Sequence, residues 1–256
     1  RGLGVYGWQI GRWGTEETCL ATSNLKVGGG ICVTASHNPK DYNGMKFVRA
    51  ESKPISGDSG LKEIQSQAES NDFSPATQRG TLQVVDVSEA YIAHLLSYVD
   101  LKALKPLKIV CTAGNGGAGP VVDLLEPHLP FEFIKLHQKA DGHFPNGVPN
   151  PMIEENRVAS ANLVRETGAD MGIAWDGDFD RCFFYDHTGV FIEGYYVVGL
   201  LAASFLAKSS QETVVHDPRL TWNTMDIAQM SGGATEQSKT GHAFIKETMG
   251  RVDPDD

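Results

Sequence analysis

Three carboxylates at alternating positions, Asp176, Asp178 and Asp180, are the strongest chemical signal in this chain. Gly177 permits a sharp bend, so the three can converge on one cation. Carboxylate oxygens suit hard cations such as magnesium or calcium. The segment Asp176-Gly177-Asp178-Phe179-Asp180-Arg181 lies between two apolar runs that read as strands, Met171 to Ala174 and Cys182 to Tyr185. The ligands would therefore stand at a sheet end, held by a rigid frame. An EF-hand loop needs Gly at its sixth position and Glu at its twelfth. Those positions hold Arg181 and His187, so that reading fails. A solvated acidic hairpin is the plain alternative, but three acids this close repel one another without a counter-ion. Arg181 can neutralise a carboxylate or hold a phosphate.

The second signal is Thr34-Ala35-Ser36-His37-Asn38-Pro39, directly after the apolar run Ile31-Cys32-Val33. A serine at a strand's exit can be exposed and rigidly held. No GxSxG elbow is present, which weakens a hydrolase reading. His37 beside Ser36, with Lys46 following, suits phosphoryl chemistry better, since the lysine can supply positive charge to a phosphate. An Asn-Pro turn with an ordinary capping serine stands as the open alternative.

The bulk composition sets limits. The chain has 256 residues, 41% hydrophobic and 21% charged, and a net charge of −10. That length allows one to three domains, and the balance is that of a globular protein. A nucleic-acid binder would need a basic face. Cys19, Cys32, Cys111 and Cys182 form no CxxC pair and read as reduced, mostly buried thiols, which points to the cytoplasm. The most apolar stretch, Tyr195 to Ala207, is shorter than the roughly 18 residues a membrane span needs. The chain opens on Arg1 without Met and closes on Asp253-Pro254-Asp255-Asp256, which gives the expectation of a fragment.

Strands and helices alternate along the chain, the pattern of consecutive α/β domains with mixed sheets flanked by helices. A first unit, 1–82, holds a helix from Thr15 to Leu25 with Thr15 as its N-cap, a buried strand at Ile31 to Val33, a strand at Met45 to Val48 and a helix at Leu61 to Ser70. Polar residues Asn71 to Gly80, with Pro75, read as a linker. A second unit, 83–190, holds a helix at Val87 to Val99, strands at Leu107 to Cys111 and Phe131 to Leu136, a turn at Gly114 to Gly119, a helix at Pro120 to Leu125, a loop at Ala140 to Pro151 and a helix at Arg157 to Thr167, before the acidic turn and its strands. A third, 191–256, holds helices at Tyr195 to Ala207, Thr221 to Met230 and from Gly241, with a strand at Thr213 to His216. Trp8, Trp13, Trp175 and Trp222 read as packing residues. His128, His137 and His143 read as surface residues.

Together the two motifs resemble the α-D-phosphohexomutase family, which carries a T-A-S-H-N-P loop with a phosphorylated serine and a D-G-D-x-D-R metal loop. Further stretches are similar to its bacterial phosphomannomutase/phosphoglucomutase branch: Asp41 to Lys46, Phe144 to Gly147, Phe191 to Tyr196, Asp217 to Thr224 and Ser238 to Lys246. The likeness runs from about Gly14 to Arg251.

The resemblance implies a magnesium-dependent isomerase that interconverts mannose 6-phosphate and mannose 1-phosphate and serves GDP-mannose supply. A phosphoglucomutase of the same family is the alternative. Ser36 would carry the phosphoryl group and complete a site for one magnesium ion with Asp176, Asp178 and Asp180. A bisphosphorylated hexose would act as intermediate and activator. His37, Lys46 and Arg181 would line the transfer site, with Lys46 the candidate for proton transfer, although its ordinary pKa is high for a base. Arg219 and His242 would face the phosphosugar. Neither nucleic acid nor membrane is implied as a partner, and no oligomeric state follows. Against the family pattern, much of the first domain, the sugar-binding G-E-x-S loop and the fourth domain are absent, so an inactive fragment that only binds metal is a further reading. Arg1 receives no role, and Tyr6 to Arg12 fits the pattern poorly.

Two rivals compete. Gly114-Asn115-Gly116-Gly117-Ala118-Gly119 satisfies GxGxxG between a strand and a helix, but the next strand ends in Leu136 instead of an acid for a ribose. A glycine-rich structural turn is the better reading. A haloacid-dehalogenase-type phosphatase would need Thr or Val after its acids and would leave Ser36 idle.

Overall fold

A computed structural model describes residues 4–74 and 76–253. Arg1, Pro75 of the expected linker and the last three residues of the third unit lie outside the described residues. The chain divides into two compact units, Arg1–Val190 and Phe191–Asp256.

In the first unit, β1 (Gly7–Gln9) pairs in parallel with β4 (Leu82–Val84). Neither strand is evident in the sequence. The pairing gives a structural role to Gly7–Gln9, inside the segment Tyr6 to Arg12 that was expected to fit the pattern poorly. Helix α1 (Thr15–Asn24) follows, then an antiparallel ribbon of β2 (Gly29–Val33) and β3 (Met45–Arg49), in which Cys32 faces Lys46. The expected buried strand is half wrong. Cys32 is buried, but Ile31 and Val33 are 60% and 66% exposed. A two-stranded ribbon has one covered face, here toward α1, and side chains alternate between faces. Helix α2 (Leu61–Ser70) ends on Asn71 in the left-handed conformation, a common helix stop.

Helix α3 (Ser88–Ser97) leads to a sheet built from β5 (Lys108–Thr112), β6 (Glu132–Leu136), β7 (Met171–Trp175) and β8 (Cys182–Tyr185), in the order β6-β5-β7-β8. The pairs β5–β6 and β5–β7 are parallel, and β7–β8 is antiparallel. Helices α4 (Ala118–Leu125) and α5 (Val158–Thr167) are the crossovers that parallel strands require. Central β5 is buried along Ile109 to Thr112, and Ile109, Cys111 and Val122 of α4 form one core cluster with Trp175 packed on it. A second cluster, Tyr91, Ile92 and Val121, gathers Trp13, Leu20 and Phe179.

The second unit holds β9 (Phe191–Ile192), α6 (Gly194–Leu206), α7 (Trp222–Met230), α8 (His242–Val252) and a parallel pair, β10 (Thr213–His216) with β11 (Ala234–Gln237). Asn223 of α7 bonds Tyr195 of α6. Trp222, the first residue of α7, is 80% exposed, against the expectation of packing. Trp8 is exposed to a lesser degree, at 44%. All four cysteines are free; Cys32 and Cys111 are buried, while Cys182 is exposed. Among the described residues no helix is long and apolar enough to cross a membrane.

Candidate active site

The acidic turn joins β7 to β8, so the sheet fixes both of its ends. Within it, the Phe179 amide donates to the Asp176 carbonyl, and the Arg181 amide to Asp176 Oδ1 at 3.2 Å. Phe179 adopts a left-handed backbone (φ 47°) and sends its ring into the Tyr91 cluster. An aromatic of the turn is thus rooted in the core.

The glycine-rich turn before α4 braces it from behind. Gly117 donates its amide to the Gly177 carbonyl at 2.9 Å. A Cβ on Gly116 would stand 2.6 Å from that carbonyl oxygen. These glycines therefore serve backbone approach, in keeping with a structural turn. Gly177 faces the serine loop: a Cβ there would meet the Ser36 carbonyl oxygen at 2.3 Å.

Ser36 itself is held at φ 53°, an uncommon conformation for a residue with a side chain. The ribbon β2–β3 presents it, and its amide donates to Thr34 Oγ1 at 2.9 Å. Ser36 Oγ donates to Asp176 Oδ2 at 2.8 Å, accepts from Arg181 Nη2 at 2.8 Å and lies 3.2 Å from His37 Nδ1. Arg181 also donates to His37 Nδ1 and pairs with Asp176 at 2.6 Å. Lys46 Nζ lies 2.6 Å from both Asp178 Oδ2 and Asp180 Oδ2.

The three carboxylates each offer an oxygen within 4.8 Å of the others. Burial pushes Asp176 up, against the opposing pull of the Arg181 guanidinium and the Ser36 hydroxyl. Burial works on Asp178 as well, but Lys46 outweighs it and holds that carboxyl below its usual range. Lys46 is drawn down by burial and pulled further up by Asp178 and Asp180, so it stands above its ordinary value. The buried oxygen Asp178 Oδ1 has no hydrogen-bond partner. A partnerless buried carboxylate oxygen beside two more acids fits a hard cation.

Seven of the residues singled out in the sequence thus come together: Ser36, His37, Lys46, Asp176, Asp178, Asp180 and Arg181. Arg219 and His242 belong to the second unit. There Arg219 pairs with Asp217 at 2.5 Å and is largely exposed, and His242 opens α8. Two hydroxyls escaped sequence reasoning. Thr15 was expected to cap α1, but Gly14 is the N-cap. Instead Thr15 Oγ1 donates to Asp178 Oδ2 at 3.1 Å and accepts from Lys46 Nζ at 2.9 Å. A buried carboxylate and an ammonium outbid the helix terminus for that hydroxyl. Thr34 Oγ1 also donates to Asp178 Oδ2 at 3.1 Å. Thr34 lies within the serine motif, so its position there was the available signal; Thr15 gave none.

An α/β frame that sets a serine hydroxyl against a carboxylate cluster, with an arginine on both, defines the class of this protein. Domain I of the phosphoglucomutase/phosphomannomutase family, described as alpha/beta/alpha, matches residues 2–75, domain II residues 89–189 and domain III residues 193–253. The chain belongs to this family. It is 58% identical over 240 residues to a Xanthomonas campestris pv. campestris protein named for phosphohexose mutases, covering 94% of this chain and 54% of that one. It is 55% identical over 257 residues to an Escherichia coli phosphomannomutase, covering 98% and 56%. A crystal structure of a family protein from Burkholderia thailandensis superposes with a TM-score of 0.90 at 30% identity, over 98% of this chain and 56% of that one. The chain spans about half the length of the curated relatives it matches.

Proposed function

We propose that this chain carries the phosphoryl-transfer centre of a magnesium-dependent phosphohexomutase, with Ser36 as the group that carries the phosphoryl and mannose phosphates as substrates. The observation that bears most weight is Ser36 Oγ at 2.8 Å from both Asp176 Oδ2 and Arg181 Nη2. Asp176, Asp178 and Asp180 would hold the metal together with a phosphoryl oxygen on Ser36. The metal would supply charge neutralisation on the transferring group.

Transfer breaks the bond from phosphorus to Ser36 Oγ and forms one from phosphorus to a sugar hydroxyl. The hydroxyl's proton leaves to a base, and Oγ regains a proton. The sugar, now a bisphosphate, turns and returns its other phosphoryl to Ser36. Arg181 and His37 border Oγ and would steady the charge that develops there. Lys46 is the candidate for proton transfer, yet it can act as a base only after releasing Asp178 and Asp180. Arg219 and His242 would serve the sugar end. The division at 82/83 and 190/191 into serine, metal and sugar-facing parts belongs to the same proposal.

Incubation with radiolabelled hexose 1,6-bisphosphate and magnesium tests the reading. Label should appear on Ser36 and vanish in Ser36→Ala. Label on an aspartate, or none on the wild-type chain, would overturn it. Conversion of mannose 1-phosphate, compared with glucose 1-phosphate, separates the two substrate readings.

A further inference from the structure

Lys46 has an arrangement that its assignment as a proton-transfer group does not explain. An ammonium has three N–H donors, and all three are accepted: by Thr15 Oγ1 at 2.9 Å, by Asp178 Oδ2 at 2.6 Å and by Asp180 Oδ2 at 2.6 Å. The side chain is largely buried, and Thr15 closes the set by donating to the same Asp178 oxygen. The other cation at the turn, Arg181, serves Asp176 at 2.6 Å and lies 3.7 Å from Asp180. Three carboxylates therefore face two cations, and Lys46 neutralises most of what Arg181 leaves.

We infer that Lys46 is a built-in counter-cation that competes with a divalent ion for Asp178 and Asp180, and that Thr15 is the positioning residue that latches it there. The inference rests on the metal reading of the acidic turn. Two cations drawing on the same two carboxylates repel each other strongly at such distances, so the ammonium leaves as the metal arrives. Metal binding then releases Lys46 from the acids, which is what it needs in order to meet a phosphoryl group or move a proton. Charge favours the same order. A phosphoryl group on Ser36 brings a charge of nearly minus two, which a divalent ion cancels.

The test uses the whole 256-residue chain, without phosphate on Ser36, and manganese(II) as the probe, its free fraction read by electron paramagnetic resonance. Lys46→Met should bind the ion about tenfold more tightly than wild type, equivalent to ~1.4 kcal/mol, while its metal-free melting temperature falls. Thr15→Val should shift affinity in the same direction by a smaller factor, with a milder effect on folding. General damage to the fold would weaken binding, so the direction separates the two explanations. Equal or weaker binding by a folded Lys46→Met chain overturns the inference. Should that variant fail to fold, unchanged or weaker binding by Thr15→Val overturns it instead. If neither wild type nor variants bind the ion, the metal reading falls, and the inference falls with it.

Discussion

Glu17 offers a sensitive probe of how the first unit is held together. It lies on α1, two residues from the site residue Thr15, and is fully buried. Burial pushes its pKa from 4.5 to about 7, against the opposing pull of the backbone at Glu17 and Gly14 and of the Tyr91 hydroxyl. The folded chain thus binds this proton more tightly than the unfolded chain. The stabilisation is whole below pH 4.5 and is lost as pH rises through about 7. At about 1.4 kcal/mol per tenfold change in proton affinity, the full span is ~3 kcal/mol. Glu17→Gln keeps the shape and stays neutral, so it should match wild type near pH 4.5 and exceed it by ~2–3 kcal/mol at pH 8. Urea unfolding at several pH values measures this. Tryptophan emission in a Trp222→Phe background follows the first unit, because the remaining tryptophans, Trp8, Trp13 and Trp175, all belong to it. Parallel pH profiles for the two proteins, or a variant less stable at pH 8, would refute the reasoning.

Two other substitutions probe the frame. Gly116→Ala should cost ~1–3 kcal/mol by forcing backbone apart, and should weaken manganese binding because the new Cβ would press the Gly177 carbonyl of the acidic turn; melting and ion titration report the two effects. Val110→Ala, at a fully buried position on central β5, should cost ~2–3 kcal/mol in urea unfolding and leave the label on Ser36 intact.

Much of the frame was legible because period and punctuation agree with the fold. The apolar run Cys182 to Tyr185 is β8 to the residue, and Leu61 to Ser70 is α2 to the residue. The short pieces were not legible. Gly7–Gln9 and Leu82–Val84 carry little strand pattern, and their pairing spans more than seventy residues of chain. Ala234–Gln237 is a strand only because β10 lies beside it. At the site, residue type revealed the acids and the serine, since few other contexts place such groups in those patterns. Thr15 was invisible for the opposite reason: a threonine at a helix start has an ordinary local explanation, and only the distant Asp178 overrides it. Phe179 likewise reads as a spacer between acids until its ring is seen in the core.

The ribbon β2–β3 carries both Thr34-Ala35-Ser36 at one strand's exit and Lys46 on the returning strand, whereas the aspartates and Arg181 ride on the β7–β8 hairpin. The bonds described between the two bodies, from Ser36, Thr34 and Lys46 to the acids and from Arg181 to Ser36, all run through side chains. No β-ladder has to break for the jaws to part. A small tilt of the ribbon would loosen every one of these bonds in step, because all of them join the same two hairpins.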